Sequence, residues 1–175
     1  MRFDRSNQLR QRIHSLIPGG AHTYAKGDDQ YPEGMAPILV RGLGCRVWDV
    51  DDNEFIAYGA GVRAVTLGHA YPPVVEAARR QLNLGANFVR PALIELECAE
   101  AFLEFVPAAE MVKFCKDGSD AVSGALKLAR AATGRDMVAV CRNHPFFAVD
   151  DWFIGSTGMP GGIPDATRAL TVKFD

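Results

Sequence analysis

The chain contains 175 residues, of which 48% are hydrophobic and 23% are charged, and its formal net charge is −2. This balance is typical of a globular domain large enough to bury a core, and it excludes the strongly basic surface that nucleic-acid binding requires. No apolar run reaches the length of a membrane span, so we predict neither a nucleic-acid partner nor a membrane partner.

Cysteine usage indicates a reducing compartment. Isolated cysteines within or beside apolar runs are typically buried free thiols. The four that follow this pattern are Cys45, Cys98, Cys115 and Cys141. The segment Met1–Arg5 lacks the apolar region of a secretion signal, so we expect a cytoplasmic protein. The four histidines are scattered as well, and we predict no metal site.

The first part of the chain predicts a helix followed by a small antiparallel sheet. An apolar stripe at helical spacing predicts a helix that is capped by Asp4 or Ser6 and ends before Pro18. Residues 21–37 are polar and predict a loop. Three short apolar runs separated by turn residues then predict a meander of strands at 38–41, 45–50 and 55–58. We assign residues 1–68 to an N-terminal helix and an antiparallel segment.

From Pro72 onward, predicted helices alternate with predicted strands. The helices are 73–84, 92–105 and 119–132, and the strands are 111–115, 137–141 and 168–174. This alternation is typical of a parallel α/β sheet. We therefore assign residues 69–175 to the first part of an α/β domain. No helix follows the last strand to cover it, so we expect this sheet to be incomplete.

The stretch Gly118-Ser119-Asp120 follows an apolar run and opens a helix of small residues. Backbone N–H groups and a hydroxyl would meet there at the positive end of a helix dipole, which suits a phosphate. The alternative is an ordinary turn in which Ser119 or Asp120 caps the helix. Gly124 costs about 1 kcal/mol relative to alanine in mid-helix, which suggests a close approach on that face.

Two further motifs have specific alternatives. Gly59–Ala64 has the GxGxxA spacing of a dinucleotide-binding loop, so a nucleotide-binding domain is one interpretation, although Gly68 and Pro72 interrupt the helix that it requires. The glycines otherwise fit a loop close to a ligand, in which Arg63 receives a carboxylate or is a solvated surface charge. Asp49–Asn53 begins like a calcium loop but lacks its glycine and final glutamate, so we predict a β-turn.

An aromatic pair follows the predicted strand 137–141, in the sequence His144-Pro145-Phe146-Phe147. Side chains at the carboxyl end of a parallel strand face the crevice in which α/β proteins bind ligands. Phe146 therefore either stacks on a planar cofactor or belongs to the core.

Together these motifs resemble the N-terminal part of class III pyridoxal-phosphate-dependent aminotransferases, in the branch of the glutamate-1-semialdehyde aminomutases. The resemblance covers essentially the whole chain. Its motifs are Leu16–Gly20, Val47–Asn53, Leu67–Pro72, Arg90-Pro91, Gly118–Ala121 and Lys127–Arg130. It implies a fold-type I α/β transferase, in which the antiparallel segment is part of the small domain, with aminotransferase or aminomutase activity.

The resemblance also implies a cofactor and its contacts. In the family, a Gly-Ser/Thr-Glu turn holds the phosphate of pyridoxal 5'-phosphate, so Gly118 and Ser119 are expected to bind it, with Asp120 where the family usually has Glu. Phe146 is expected to stack on the pyridine ring. The family's active sites form at a dimer interface, which implies that the complete protein is a homodimer.

The substrate side departs from the family's aminomutases. Their loop before the Leu-Gly-His motif carries a tryptophan, where this chain has Val62 and Arg63. Arg63 and His22 are expected near the substrate, a small-molecule amino donor or acceptor. The departure weakens the case for glutamate semialdehyde and leaves a different donor or acceptor open, such as a sugar or a natural-product intermediate.

The resemblance places the Schiff-base lysine, and the acid that pairs with the pyridine nitrogen, further along the chain than residue 175. None of the lysines present has the family's lysine context; they are Lys26, Lys113, Lys116, Lys127 and Lys173. We therefore expect a truncated chain that has no catalytic residue and is inactive alone. The alternative is a non-catalytic fragment or interaction module that needs a partner chain to fold.

Overall fold

The computed structural model describes residues 1–144, 150 and 160–175. Its contacts divide the chain into two compact units, Met1–Arg90 and Pro91–Asp175, which are described separately below. The boundary predicted between residues 68 and 69 concerns the domains of a complete enzyme, and it stays a prediction.

The first unit begins with helix α1, Asp4–Leu16, and Phe3 occupies its N-cap position without a side-chain hydrogen bond. The helix is confirmed, but its cap is neither Asp4 nor Ser6. Asp51, distant in sequence, caps it instead, because Asp51 Oδ1 accepts the N–H of Arg5 at 2.8 Å and Oδ2 accepts the N–H of Ser6 at 2.9 Å. The carboxylate also lies at the positive end of the helix dipole.

The hydroxyl of Ser6 ties α1 to the chain on two sides. Ser6 is 1% exposed. Its Oγ donates to Asp51 Oδ2 at 2.6 Å and accepts the N–H of Ile38 at 3.3 Å. Because this buried hydroxyl is both donor and acceptor, α1 is fixed against the segment that enters the sheet and against a turn within it.

Three strands form the predicted antiparallel meander in the order β1-β2-β3. They are β1 Leu39–Leu43, β2 Arg46–Asp49 and β3 Glu54–Ile56. Val47 and Asp49 of β2 are buried. The guanidinium of Arg41 lies over the Trp48 ring at 3.5 Å from its centroid, a cation–π contact. The antiparallel part of the predicted fold is confirmed.

Asp49 organises the turn between β2 and β3. It is fully buried, and its Oδ1 accepts the N–H groups of Asp51 at 2.9 Å and Asn53 at 2.8 Å. Its Oδ2 accepts the side-chain amide of Asn53 at 2.8 Å. Local bonds of this kind stabilise turns, so the stretch that begins like a calcium loop is a turn here.

Helix α2, Pro72–Leu84, follows the sheet in the first unit, and Pro72 lies at its first positions. A proline there has no N–H to leave unpaired within the helix. The helix ends at Gly85, with φ of 104°. Before α2, Gly44 and His69 exchange both backbone hydrogen bonds, at 2.9 and 2.8 Å, which joins the chain to the end of β1.

The second unit contains three helices and a parallel strand pair among its described residues. They are α3 Leu93–Phe105, α4 Gly118–Thr133, β4 Val138–Cys141, α5 Asp165–Arg168 and β5 Thr171–Phe174. In the parallel pair, Val138 lies opposite Thr171. Helix α4 ends at Gly134, whose left-handed φ of 65° lets its N–H donate to Arg130 O. The parallel pair confirms the α/β character of this part.

Residues 111–115, predicted as a strand, do not form one. A strand needs a neighbour to pair its backbone groups, and β4 and β5 pair with each other. Instead the run contacts α3, where Phe114 meets Phe102 edge-on with ring centroids 6.1 Å apart. The strand prediction is therefore wrong here.

Much apolar surface of the helices is uncovered. Helices α2, α3 and α4 contain no buried residue, and Leu93 and Phe105 of α3 are 69% and 87% exposed. The four cysteines are free but all exposed, so the prediction that they are buried is wrong.

Within the described ranges, no helix is both long and apolar enough to cross a bilayer. The same residues contain no group of three or more His, Cys, Asp or Glu side chains able to hold a metal ion.

Ser6→Ala removes a buried hydroxyl and leaves the Ile38 N–H without that acceptor. We expect the free energy of unfolding to fall by about 1–3 kcal/mol, the usual cost of an unsatisfied buried polar group. Ser15→Ala is the matched control, because the exposed Ser15 hydroxyl donates to the Arg12 carbonyl within the same helix, and we expect about 0.5 kcal/mol or less. Urea unfolding followed by tryptophan fluorescence measures both, and equal losses would contradict the role of Ser6.

Asp51 should make stability depend on acid pH. Desolvation raises the pKa of its carboxyl, but the hydrogen bonds from the Ser6 hydroxyl and the Arg5 and Ser6 amides outweigh it, so the pKa lies below 3.8. Since the folded pKa is the lower one, the stabilisation is complete above about pH 4 and is lost as pH falls through the folded value. We expect Asp51→Asn to flatten the acid limb of unfolding free energy against pH. Asp52→Asn, an exposed neighbour, should leave that slope unchanged, and the same slope in both variants would refute the assignment.

Candidate functional site

Helix α4 begins at Gly118, and Asp117 is its N-cap. Asp117 Oδ1 accepts the N–H of Asp120 at 2.9 Å, and the Asp117 carbonyl accepts the N–H of Ala121 at 3.2 Å. The capping side chain therefore comes before the residues Ser119 and Asp120, to which sequence analysis assigned that role. It fixes the first turn and occupies the third helical amide.

The first two amides of α4 are without an acceptor in the part of the chain that the structure describes. Among residues 1–144, 150 and 160–175, no group accepts a hydrogen bond from the N–H of Gly118 or Ser119. A Cβ added at Gly118 would meet nothing within 4 Å, so the side of this residue that a side chain would occupy is open. The half-buried Ser119 adds a hydroxyl to the same turn. Two N–H donors, a hydroxyl and a helix dipole fit a phosphate group.

The acids at this turn work against anion binding. The Asp120 N–H is already bonded to Asp117, so its predicted part in cofactor binding, which stays a prediction, would fall to its carboxylate. The carboxylate of Asp117 brings a second negative charge to the same turn. Attraction for an anion must therefore come from the two open amides, the hydroxyl and the dipole.

Phe146 lies outside the described residues, so its predicted stacking on the cofactor stays a prediction. A short turn follows β4 and precedes Phe146 in the sequence. There the N–H of Arg142 donates to the Phe174 carbonyl at 2.8 Å, and the N–H of His144 donates to the Cys141 carbonyl at 3.2 Å. The carboxyl end of β4 is thus firmly paired where that segment begins.

Arg63 lies in a turn with an unusual backbone. The φ values of Ala60, Gly61, Val62 and Arg63 are 41°, 61°, 59° and 71°, so four consecutive residues are in the left-handed region. Glycine adopts this region freely, but other residues do so at a cost of roughly 1–2 kcal/mol each. A β-branched residue such as Val62 is an outlier there. The turn therefore stores backbone strain.

Hydrogen bonds hold this left-handed turn closed. The N–H of Arg63 donates to the Gly59 carbonyl at 2.9 Å, and the N–H of Val65 donates to the Ala60 carbonyl at 2.8 Å. Arg63 itself is exposed. Its guanidinium has no ion pair or hydrogen bond within the part of the chain that the structure describes.

His22 is exposed and lies between two single-turn 3₁₀ helices, Pro18–Gly20 and Tyr24–Lys26. The predicted loop is thus partly helical. Asp28, in the next such turn, ties this segment to α1, since its carboxylate pairs with Arg10 and bonds to His14 Nε2 at 2.9 Å. The hydrogen bond from His14 outweighs desolvation and holds the pKa of Asp28 below 3.8.

The predicted site residues fall into two groups. Gly118, Ser119 and Asp120 share one helical turn of the second unit, whereas Arg63 and His22 lie in the first. Two features of these groups were not predicted from the sequence. They are the cap at Asp117 and the left-handed turn at residues 60–63. An acid three residues before Asp120 is a known signal for a cap. The turn has no comparable signal, because valine and arginine rarely adopt positive φ.

The chain matches the family model "Aminotransferase class-III" over residues 28–149. It is 38% identical over 183 residues to the glutamate-1-semialdehyde 2,1-aminomutase of Chloroflexus aurantiacus, covering 99% of this chain and 41% of that protein. The FumI protein of Sphingopyxis sp. MTA144, in its pyridoxal-phosphate internal aldimine form, has a TM-score of 0.86 and 32% identity, covering 97% of this chain and 40% of that one. An omega-transaminase from Sphaerobacter thermophilus has a TM-score of 0.83 and 30% identity, covering 96% and 41%.

The fold is that of the fold-type I transferases that use pyridoxal phosphate, represented here by an α/β portion and a small antiparallel sheet. The chain belongs to the class III aminotransferase family. The predicted family, fold class and family cofactor are confirmed. The chain spans about two fifths of the length of the relatives it matches, 41% for the Chloroflexus protein.

Val62→Gly should stabilise the protein, because glycine adopts the left-handed region without steric cost. We expect a gain of about 1 kcal/mol, at the low end of the left-handed penalty because glycine also adds entropy to the unfolded chain. Val40→Gly is the matched control, since exposed Val40 lies in β1, and it should lose about 0.5–1 kcal/mol. Chemical unfolding compares the two, and a loss in both variants would argue against the left-handed turn.

Proposed function

We propose that this chain provides the phosphate site of a pyridoxal-phosphate-dependent aminotransferase or aminomutase that acts on a small amino or oxo compound. The observation that carries the proposal is the pair of open amides at Gly118 and Ser119, next to a hydroxyl and open space. Membership of the class III aminotransferases supports the same assignment. So does the similarity to a protein named for the rearrangement of glutamate 1-semialdehyde.

In this proposal the chain binds and orients the cofactor. Bound pyridoxal phosphate supplies the electron sink for chemistry at the amino-bearing carbon. The N–H groups of Gly118 and Ser119, with the Ser119 hydroxyl, hold its phosphate. Because they belong to the first turn of α4, the rigid helix fixes one end of the cofactor. Phe146 is the proposed stacking residue, and Asp120 is proposed beside the phosphate.

We propose no catalytic residue within this chain. None of its five lysines has the sequence context of the family's imine-forming lysine, so we expect the chain to bind the cofactor without turning over substrate. Arg63 and His22 are the proposed contacts with the amino donor or acceptor. The four cysteines are all free thiols, which supports a reducing compartment, and we place the protein in the cytoplasm.

We further propose that the complete protein is a homodimer and that this chain needs a partner surface. The observation behind this is that α2, α3 and α4 bury no residue, and exposed apolar area of this kind marks interaction surfaces. We expect sedimentation velocity to show association that increases with concentration. A monomer that unfolds cooperatively at every concentration would contradict the proposal.

Gly118→Ala should weaken binding of the phosphate, because the proposal places the phosphate against the backbone of Gly118, where an added Cβ would hinder its close approach. We expect about tenfold lower affinity, equivalent to about 1.4 kcal/mol. Pyridoxamine 5'-phosphate is the probe, since it lacks the aldehyde that reacts with any surface amine, and pyridoxamine controls for the phosphate. Gly124→Ala is the matched variant on the same helix, where an added Cβ also meets nothing. Equal affinity in both variants would refute the site.

Asp117→Asn should strengthen binding of the same probe. Asparagine caps a helix about as well as aspartate, so the turn is kept while a negative charge is removed from its open end. A charge at a helix terminus is typically worth about 0.3–1 kcal/mol, so we expect about a two- to fivefold gain in affinity. Equilibrium dialysis measures it, and the gain should shrink with added salt. Unchanged affinity at low salt would place the phosphate elsewhere.

A further inference from the structure

We propose that residues 18–31, called the strap below, are held against α1 by a pH-dependent clasp between His14 and Asp28. The strap is docked while the imidazole of His14 is protonated, and it is released as that proton is lost. Because the strap includes His22, its release moves one of the proposed substrate contacts, a consequence that rests on the proposed function. The clasp itself does not depend on that function.

The first argument is that the strap has few polar ties to the rest of the fold. Its backbone forms three single-turn 3₁₀ helices, Pro18–Gly20, Tyr24–Lys26 and Asp28–Gln30. The backbone hydrogen bonds that strap residues make join residues three apart, so within the described part of the chain none reaches α1 or the sheet. Across the same residues, Asp28 is the one strap side chain with a hydrogen bond to α1. Polar docking of the strap therefore depends on a single carboxylate.

The second argument is the position of His14 between the two ends of the strap. Its Nε2 lies 2.9 Å from Asp28 Oδ2, and the same oxygen accepts a hydrogen bond from the guanidinium of Arg10, one turn earlier in α1. At the other end of the strap, a Cβ built on Gly20 would lie only 2.7 Å from His14 Nε2. The imidazole therefore packs directly against the Gly20 backbone while it bonds to Asp28.

The third argument is that His14 is the group in this cluster whose charge changes near neutral pH. An imidazole ordinarily titrates at about pH 6.5. The guanidinium of Arg10 is permanently charged, and the hydrogen bond from His14 holds the pKa of Asp28 below 3.8, so this carboxylate stays ionised. Lys26 and Tyr31 line the same cavity, but amines and phenols ordinarily titrate at about pH 10. Near neutral pH, the clasp therefore responds to the imidazole.

Protonation changes the strength of the clasp. A charged donor makes a hydrogen bond about twice as strong as a neutral one. Docking is therefore strongest in mild acid, and it weakens as pH rises through the titration of the imidazole. The side chains of His14 and Asp28 are 40% and 20% exposed, so solvent screens the pair, and we expect the docking equilibrium to shift by about two- to fivefold.

Amide hydrogen exchange in the 175-residue chain tests the clasp. The reporter is Gly27, which is buried and whose N–H donates to the Tyr24 carbonyl at 2.9 Å. Each exchange rate is divided by that of an unstructured peptide at the same pH, which removes the intrinsic effect of pH. Between about pH 5.5 and about pH 7.5, we expect the protection of Gly27 to fall about two- to fivefold, while that of Val47, buried in β2, stays constant. Constant protection of Gly27, or an equal fall at Val47, would overturn the proposal.

Two pairs of matched variants identify the groups of the clasp. His14→Gln should abolish the pH response, whereas His22→Gln, which removes the imidazole within the strap itself, should keep it. Asp28→Asn should also abolish the response, because it removes the charge that the imidazolium meets. Asp29→Asn should keep it, since the Asp29 carboxylate bonds to the side chain of Gln30. A pH response that persists in His14→Gln or in Asp28→Asn would overturn the proposal.

Pyridoxamine phosphate binding distinguishes failure of this proposal from failure of the proposed function. Protection of Gly27 that does not respond to pH, with intact pyridoxamine phosphate binding, would reject the clasp alone. A pH response that depends on His14 and Asp28, without pyridoxamine phosphate binding, would support the clasp and reject the cofactor site.

Discussion

The hydrogen bond from the Asp120 amide to the Asp117 carboxylate decides what the start of α4 offers to a ligand. It fixes the first turn while leaving the amides of Gly118 and Ser119 open. The start of α1 is capped by an acid in the opposite way. There Asp51 takes the amides of Arg5 and Ser6 together with the Ser6 hydroxyl. The same chemistry thus gives a start of α1 whose amides are bonded and a start of α4 where, among the described residues, two amides are left without an acceptor.

Carboxylates hold the first unit together in a similar way throughout. Asp49 closes the turn after β2, and Asp28 ties the 3₁₀ segment to α1. Within this well-bonded frame, the turn at 60–63 concentrates three of the non-glycine residues that have positive φ.

Sequence analysis located most elements because each has a local signal. Each signal lies within or directly beside the element that it predicts. Examples are the apolar stripe of α1, the proline at the start of α2 and the glycine at the end of α4. The cap of α1 was missed because Asp51 is distant in sequence, and the run at 111–115 was overpredicted because a strand depends on a neighbour. The turn itself was sufficient to predict Gly118 and Ser119 as phosphate contacts, and this stays a prediction. That Asp117 rather than Ser119 or Asp120 provides the cap depends on side-chain geometry, which sequence spacing leaves undecided.

The central claim is that the two open amides of α4 bind a phosphate, and amide NMR tests it most directly. In the ¹⁵N-labelled chain titrated with pyridoxamine 5'-phosphate, the account predicts saturable shifts of the Gly118 and Ser119 amide resonances, with pyridoxamine giving none. The Asp120 amide, already bonded to Asp117, should move less. Saturable binding that leaves Gly118 and Ser119 unmoved, or equal shifts with pyridoxamine, would contradict the account.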